Sequence, residues 1–411
     1  MEVQEEQEEY VPEYVHFSRL LQMPAPVLYG RLTNDPLFIL TTIFDRVRDR
    51  SDENFVICPL LVDLILMAIR LGSGTRTGEE IQMALGHTEL DRQNVKRTAK
   101  ALIHRLKDDE IYNFNSAQKI FVGNRNIIHR NFKILSEGVF YLYLELLNFS
   151  DPEEASEKIN KWVMSSTTSA VHNLVPETLL TEDCKMFIAS SVYFRGIWDV
   201  EINKTQTTLE RFVIKPLHGV QVEFFHTLSV YNYYESEDLD AKFLELPLVK
   251  DEGSLVIVLP NKTFGLHHLE SRIRAVLSVP EDSFVRKEVR AMVPKFIITT
   301  TIDWSDILKE LGVRRLFTEN EAEIDEIAGE PGELHVNHLL QKIIIRIHES
   351  GIESTTIYFW RLGDEPPAPY DTSTIATDFI ANHPFLFYVK LRGVIIFIGR
   401  LLDPSGSDDL M

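Results

Sequence analysis

Cysteine is nearly absent: Cys58 and Cys184 are the only two in 411 residues, each in or beside an apolar run. A disulfide framework is not needed by a chain long enough to bury a large core, and both read as small buried hydrophobes. No apolar run reaches the roughly 18 residues of a membrane-spanning helix, so no membrane span is expected. Positive charge is also short. Lys and Arg total 42 against 62 Asp and Glu, a net charge of −20 that repels phosphate and argues against general nucleic-acid binding. Residues 1 to 13 carry Glu2, Glu5, Glu6, Glu8, Glu9 and Glu13 with no cation, the reverse of a secretory signal. Either Met1 is a cytoplasmic start or a signal has been removed, and the three sequons at Asn148, Asn203 and Asn261 leave the compartment open.

The motifs of catalysis are missing too. There is no Gly-x-Ser-x-Gly elbow, no His-Glu-x-x-His and no Gly-Lys-Ser/Thr phosphate loop. Gly72-Ser73-Gly74 lacks the strand and further glycine of a dinucleotide site, and His267-His268 has no other ligand at metal spacing. No catalytic residue, metal or cofactor is therefore expected.

What is present divides by period. Residues 1–34 are acidic and proline-bearing and read as a disordered arm. The folded body is expected over 35–404, with a polar tail at 405–411. Up to about 187 the pattern is mostly helical. Pro59 opens a helix over Leu60–Leu71, Thr77-Gly78-Glu79-Glu80 reads as a capping box closed by Gly86, and Val95, Ala99, Leu102, Ile103 and Leu106 form an apolar stripe. Beyond 187 strands dominate. Phe243–Leu248 with Leu255–Leu259, and Phe385–Val389 with Val394–Ile398, read as hairpins; Val293–Ile298 and Leu339–Ile347 read as single strands. Asp303 caps a short helix ended by Gly312. Helices first and strands later, with no linker, predict one large α+β domain.

Seven strings in register point further. They are Asn54-Phe55-Val56-Ile57-Cys58-Pro59, Ile159-Asn160-Lys161-Trp162-Val163, Ser190-Ser191-Val192-Tyr193-Phe194-Arg195-Gly196-Ile197-Trp198, Leu244-Glu245-Leu246-Pro247, Val293-Pro294-Lys295-Phe296, His383-Pro384-Phe385-Leu386-Phe387, and Phe397-Ile398-Gly399-Arg400 with Pro404. Together they resemble the serpin family over about residues 36 to 404. The resemblance implies three sheets, about nine helices and a metastable native state. It also implies a reactive loop, here 349–382, that a serine protease cleaves and that then inserts as a new central strand with the protease attached. In that family, loop insertion is an established instance of strand addition to a sheet and of stored strain released by cleavage.

The resemblance assigns a hinge to Glu349, Gly351, Ile352, Glu353, Ser354, Thr355 and Thr356. With side chains alternating, Ile352, Ser354, Thr356, Tyr358 and Trp360 would face inward on insertion, and two large aromatics in a prebuilt slot would each cost about 1–3 kcal/mol. Counting forward from Glu349 places the scissile bond at Glu365-Pro366; counting back from Pro384 places it at Ser373-Thr374. The counts disagree because Glu349 lies 35 positions before Pro384, more than in family loops. The second placement leaves Pro366, Pro367 and Pro369 in the inserting segment, where proline cannot donate to a ladder.

Matching motifs assign the sheet-opening gate to Cys58, Leu61, Ser190 and Gln341, a less polar set than the family's. Arg97, Lys100, His104 and Lys107, with Arg92, Lys96 and Arg105 nearby, lie along the helix that some serpins use for sulfated polysaccharide. The expectation is thus a monomeric serpin, extracellular by family habit, leaning to a degenerate member with weak or absent covalent trapping that acts by binding. The alternative is a working suicide inhibitor of a serine protease that is not trypsin-like.

Overall fold

The computed structural model describes residues 30–88, 91–106, 112–167, 173–176, 178–330, 332–353 and 376–406, together with Leu20, Met23 and Leu28. The first helix, α1 (Phe38–Arg48), buries Ile39, Leu40, Ile43, Phe44 and Val47. Strand β1 (Phe55–Ile57) leads into α2 (Pro59–Leu71), where Pro59 fills the first turn, a position that needs no N–H donor. Every residue of α2 except Arg70 is buried, including Asp63, which faces His87 at 3.2 Å, so this otherwise apolar helix lies within the core.

Helix α3 (Thr75–Ala84) starts two residues before the expected capping box, with Gly74 at the N-cap. Thr77 is instead buried and its hydroxyl accepts from the Glu323 amide at 3.0 Å, while Glu80 accepts from the amides of Arg314 and Arg315, both at 2.8 Å. Long-range partners took the two side chains that looked like a local cap. Gly86 does end the segment, at φ +63°. Helix α4 (Arg92–Leu106) buries Val95, Ala99, Leu102 and Leu106 as the stripe predicts.

The half read as helical also contributes three strands, so that β2 (Tyr112–Gly123), helix α5 (Arg130–Leu135), β3 (Leu142–Leu147), helix α6 (Pro152–Ser166) and β4 (Met186–Ile197) follow in order. Then come β5 (Thr208–Lys215), β6 (His218–Ser236), β7 (Ala241–Pro247), β8 (Gly253–Pro260), α7 (Leu266–Ser271), α8 (Ile273–Leu277), β9 (Val285–Pro294), β10 (Phe296–Asp303) and α9 (Trp304–Glu310). The chain closes with β11 (His338–His348), β12 (Gly351–Glu353), β13 (Thr377–Ile380), β14 (Phe385–Leu391) and β15 (Val394–Leu401). Both expected hairpins are present, and Asp303 caps α9 by accepting from the Ser305 amide. The single strand expected over Val293–Ile298 is two strands. The chain passes from one sheet to the other at Lys295, whose amide still donates to the Glu223 carbonyl of β6 before the chain enters β10 beside β11.

From residue 38 onward the described residues form nine α-helices, several short turns of other helix types and two hydrogen-bonded sheets. One sheet runs β10-β11-β12-β4-β2-β3; the other joins β1-β15-β14-β8-β7-β6-β9-β13, with β5 on β6. The second and third expected sheets form one network because the 19-residue β6 continues from β9 to β7. The main core fills the space beneath the six-stranded sheet, and a smaller core of Phe121, Ile159, Val163, Phe187 and Leu340 lies between its other face and α6.

The folded body also begins earlier than 35. Leu28 and Leu32 are buried, and Thr33 bridges to His87, so part of the supposed arm belongs to the core. Near the other end, Ser405 bonds back to Asp403.

Several of the seven strings act as ties between distant parts of the chain. Asn54 accepts from the amides of Leu402 and Asp403. Arg400 is buried against Glu270 at 2.6 Å and donates to the carbonyls of Ser51 and Glu53. Removing one member of such a pair strands a buried charge, so Glu270→Leu is expected to cost about 3–5 kcal/mol. The measurement is the urea midpoint, which should fall well below that of the unmodified chain.

Candidate functional site

Strand β11 carries Leu339, Leu340, Ile343, Ile344, Ile345 and Ile347, and its burial is continuous over Leu339–Gln341 and alternates beyond them. It pairs parallel with β4 from His338–Phe187 to Ile343–Val192. Above that seam the two strands part, and β12 lies between them, antiparallel to both: Ile352 pairs with Ile347 on one side and Gly196 on the other. The chain reverses at Glu349-Ser350, where the Ser350 amide donates to His348 Nδ1 at 3.1 Å. Gly351 has φ +145°, and a methyl there would overlap the Gly196 carbonyl oxygen. Only glycine allows this approach.

Of the hinge residues, Glu349, Gly351, Ile352 and the backbone of Glu353 are thus brought together at the top of the seam. Ile352 faces inward as its parity predicts and is fully buried, which stabilises the short strand by about 1.5–3 kcal/mol. Ser354, Thr355, Thr356, Tyr358, Trp360 and both scissile candidates, Glu365-Pro366 and Ser373-Thr374, lie outside the described residues.

Glu349 is the polar anchor. Its carboxylate accepts from the Thr207 hydroxyl at 2.6 Å and pairs with Lys295 at 3.2 Å; Lys295 also reaches Glu223 at 2.7 Å. Burial opposes ionisation of Glu349, yet the Thr207 hydroxyl, its own backbone amide and the Lys295 ammonium together hold it below the ordinary carboxylate value. Burial likewise opposes the charge on Lys295, and the two carboxylates outweigh it and raise its pKa. Trp198 completes the clamp by donating from Nε1 to the His348 carbonyl at 2.8 Å. Trp198 and Lys295 both stand in the strings that carry the family resemblance, but their contacts could be found only by folding the chain. Thr207 carries no sequence signal at all.

The four gate residues are all buried. Gln341 Nε2 donates to Ser190 Oγ at 3.4 Å across the seam, while Cys58 and Leu61 lie at the start of α2. Burial pushes the Cys58 thiol up to about 12, so it stays protonated and behaves as a hydrophobe. Sequence reasoning passed over one buried polar neighbour of these residues. Gln118 pairs with Ser190 in the register of β2 and β4, is 2% exposed, and its Oε1, like that of Gln341, accepts no hydrogen bond from the described residues.

The basic helix is less uniform than its spacing suggests. Lys100 and His104 are exposed, and Lys96 and Arg97 are half-buried. Arg92 pairs with Glu326 at 3.2 Å and donates to the Leu71 carbonyl. Arg105 does not join the outer face, because it donates inward to the carbonyls of Met23 and Arg392. Lys107 lies outside the described residues. His267 is a surface residue 3.9 Å from Glu270, and no group of three metal-ligating side chains occurs among the described residues.

A split central sheet, with a glycine-led hinge strand entering between two parallel strands, matches the arrangement the sequence strings implied, and the family model for serpins (serine protease inhibitors) fits residues 40–404. The chain is a serpin. It is 28% identical to Serpin48 of the insect Tenebrio molitor, described as a highly specific serpin; the structures align over 96% of this chain and 99% of that one with TM-score 0.80. It is 25% identical to serine protease inhibitor 42Dd of Drosophila melanogaster over 87% of this chain and 93% of that protein. A structure of native protease nexin-1 with heparin is 26% identical, covering 90% of this chain and 98% of that one, with TM-score 0.78.

A folded pKa below the unfolded one means that the Glu349 contribution is complete above the ordinary value of 4.5 and is lost as pH falls through the depressed folded value. Glu349→Gln is therefore expected to lower stability by about 1–3 kcal/mol at neutral pH. That deficit should shrink as pH is taken below 4.5. Thermal midpoints of both proteins across an acid series check it, and a constant gap would contradict the assignment.

Proposed function

We propose that this serpin inhibits a serine protease by loop cleavage and strand insertion. The observation that supports the reading is β12 itself: the first hinge residues already occupy the slot between β4 and β11. Ile352, the first of the inward set, is accommodated without loss of pairing, so the slot accepts a bulky aliphatic side chain. The relatives that are protease inhibitors extend the same reading to the partner class. No catalytic residue of its own is required, because the protease supplies the nucleophile and the serpin supplies the bait and the ladder.

A second reading, a degenerate member that binds without trapping, is favoured by sequence alone. Tyr358 and Trp360 share the inward parity of Ile352, and Pro366, Pro367 and Pro369 follow within the same loop. The two readings separate cleanly in one experiment. The intact chain is incubated with chymotrypsin-type and elastase-type proteases, then examined for a complex stable in SDS, and loop-nicked chain is melted beside intact chain. Inhibition predicts the complex and a thermal midpoint raised by tens of degrees after nicking; an unchanged midpoint with only cleaved product establishes the second reading.

We further propose that the outer face of α4 binds a sulfated polysaccharide. Support comes from the exposed Lys100 and His104 with Lys96 and Arg97 beside them, and from the nexin-1 relative crystallised with heparin. Binding to heparin-agarose should weaken steeply with salt, and Lys96→Ala with Lys100→Ala should reduce the log–log salt slope by about 1–2. Elution unaffected by either change removes the assignment.

A further inference from the structure

The foot of the seam, where β11 begins, is stitched by one side chain. Asn337 stands just before β11; its Oδ1 accepts from the amides of Lys185 at 2.7 Å and Met186 at 3.2 Å, and its own amide donates to the Met186 carbonyl. The Lys185 carbonyl accepts in turn from the Gly123 amide, so the ends of β2, β4 and β11 meet here. Two backbone donors on one oxygen fix which way the Asn337 amide points. Its Nδ2 is thereby turned to His335, whose Nε2 lies at 3.3 Å. An amide nitrogen only donates, so Nε2 accepts, and the ring is neutral with its proton on Nδ1. That Nδ1 is buried and has no hydrogen-bond partner among the described residues.

We propose that His335 and Asn337 form an acid-operated latch, which closes the foot of the seam while the imidazole is neutral and releases it when the ring takes a proton. Protonation makes Nε2 a donor facing a donor, and the contact becomes repulsive. Rotating the Asn337 amide to relieve it takes Oδ1 away from the Lys185 and Met186 amides, leaving both without their acceptor. Either response loosens the root of β4 from β11. Burial holds the pKa of His335 below its ordinary 6.5, with Glu319 opposing that shift and Lys185 adding to it; these are the charged groups acting on the ring. A closed foot that binds fewer protons than an open one is fully stable above 6.5 and loses stability as pH falls through the folded value. The foot's other histidine, His338, is held by Asp303 at 2.6 Å. Burial of Asp303 opposes its charge, yet His338 and Ser305 keep it below the ordinary 3.8, so that pair outlasts the latch as acid is added. The consequence for function, which rests on the inhibitory reading, is that acid frees the lower end of the slot that a cleaved loop fills.

Hydrogen exchange read by mass spectrometry tests the latch in the full chain. Peptides covering residues 184–188 and 336–340 are followed at about pH 7.5 and about pH 5, with intrinsic exchange rates corrected. Protection in both is expected to fall in acid, by about tenfold for each pH unit between the open and folded values of His335. His335→Gln supplies an acceptor that never charges and should abolish the acid loss. Asn337→Asp keeps an acceptor for both amides and offers the imidazolium a carboxylate, so it should reverse the trend. Thermal midpoints at neutral pH matching the unmodified chain confirm that the variants fold. Equal protection at the two pH values in the unmodified chain, or an acid loss that persists in His335→Gln, overturns the proposal. Trapping is read separately with active proteases: absence of an SDS-stable complex at either pH sinks the inhibitory reading and leaves the latch standing, whereas pH-independent exchange in a chain that does form the complex sinks the latch alone.

Discussion

The seam between β4 and β11 is the constraint on which the rest of the structure depends. Two parallel strands face each other there for only six residue pairs, with slanted bonds weaker per residue than those of an antiparallel ladder. Immediately above, three residues of β12 form antiparallel pairs with both neighbours at once. Extending β12 downward would replace one parallel ladder by two antiparallel ones, a net gain in pairing for each residue added. The loop is tethered at β13 on the far side, so that gain is withheld while the backbone is intact. On the inhibitory reading proposed above, the state described is held by a barrier, and its persistence is a matter of rate.

Polar groups set where the barrier stands. At the top, Glu349 is fixed by Thr207 and Lys295, and Trp198 fixes the preceding carbonyl. Halfway down, Gln118, Ser190 and Gln341 lie in one row, joined by a single 3.4 Å bond, with two amide oxygens left without a described partner. A fully satisfied row would rigidify the sheet, and this one does so only partly. On the inhibitory reading, the sheet is anchored firmly where the strand enters and loosely where it would next open.

Much of this was legible in the sequence, and the parts that were not share one physical reason. Local chemistry was readable: Pro59 starting α2, Asp303 capping α9, both hairpins, and the inward parity of Ile352. Errors arose wherever a distant partner outbid a local one. Thr77 and Glu80 looked like a cap and instead hold residues 314–323. Val293–Ile298 looked like one strand because nothing in its period shows that Lys295 is taken by Glu223 and Glu349. Leu28 and Leu32 looked like part of an acidic arm because composition averages over the few apolar residues that reach the core. Gln118 carried no signal, since its importance lies in register with strands about 70 and 220 positions away.

Charge places the final limit on how partners are chosen. A net charge of −20 repels any polyanion or acidic surface at long range, so the cationic groups of α4 act only within about a Debye length, roughly 8–10 Å in physiological salt. Steering from afar favours cationic partners, whereas Lys100 favours anionic groups at contact. A partner satisfying both carries net positive charge overall and a carboxylate or sulfate at the point of touch, or it arrives slowly and is selected by fit. If α4 takes a polyanion as proposed, that recognition rests on charge and is correspondingly sensitive to salt.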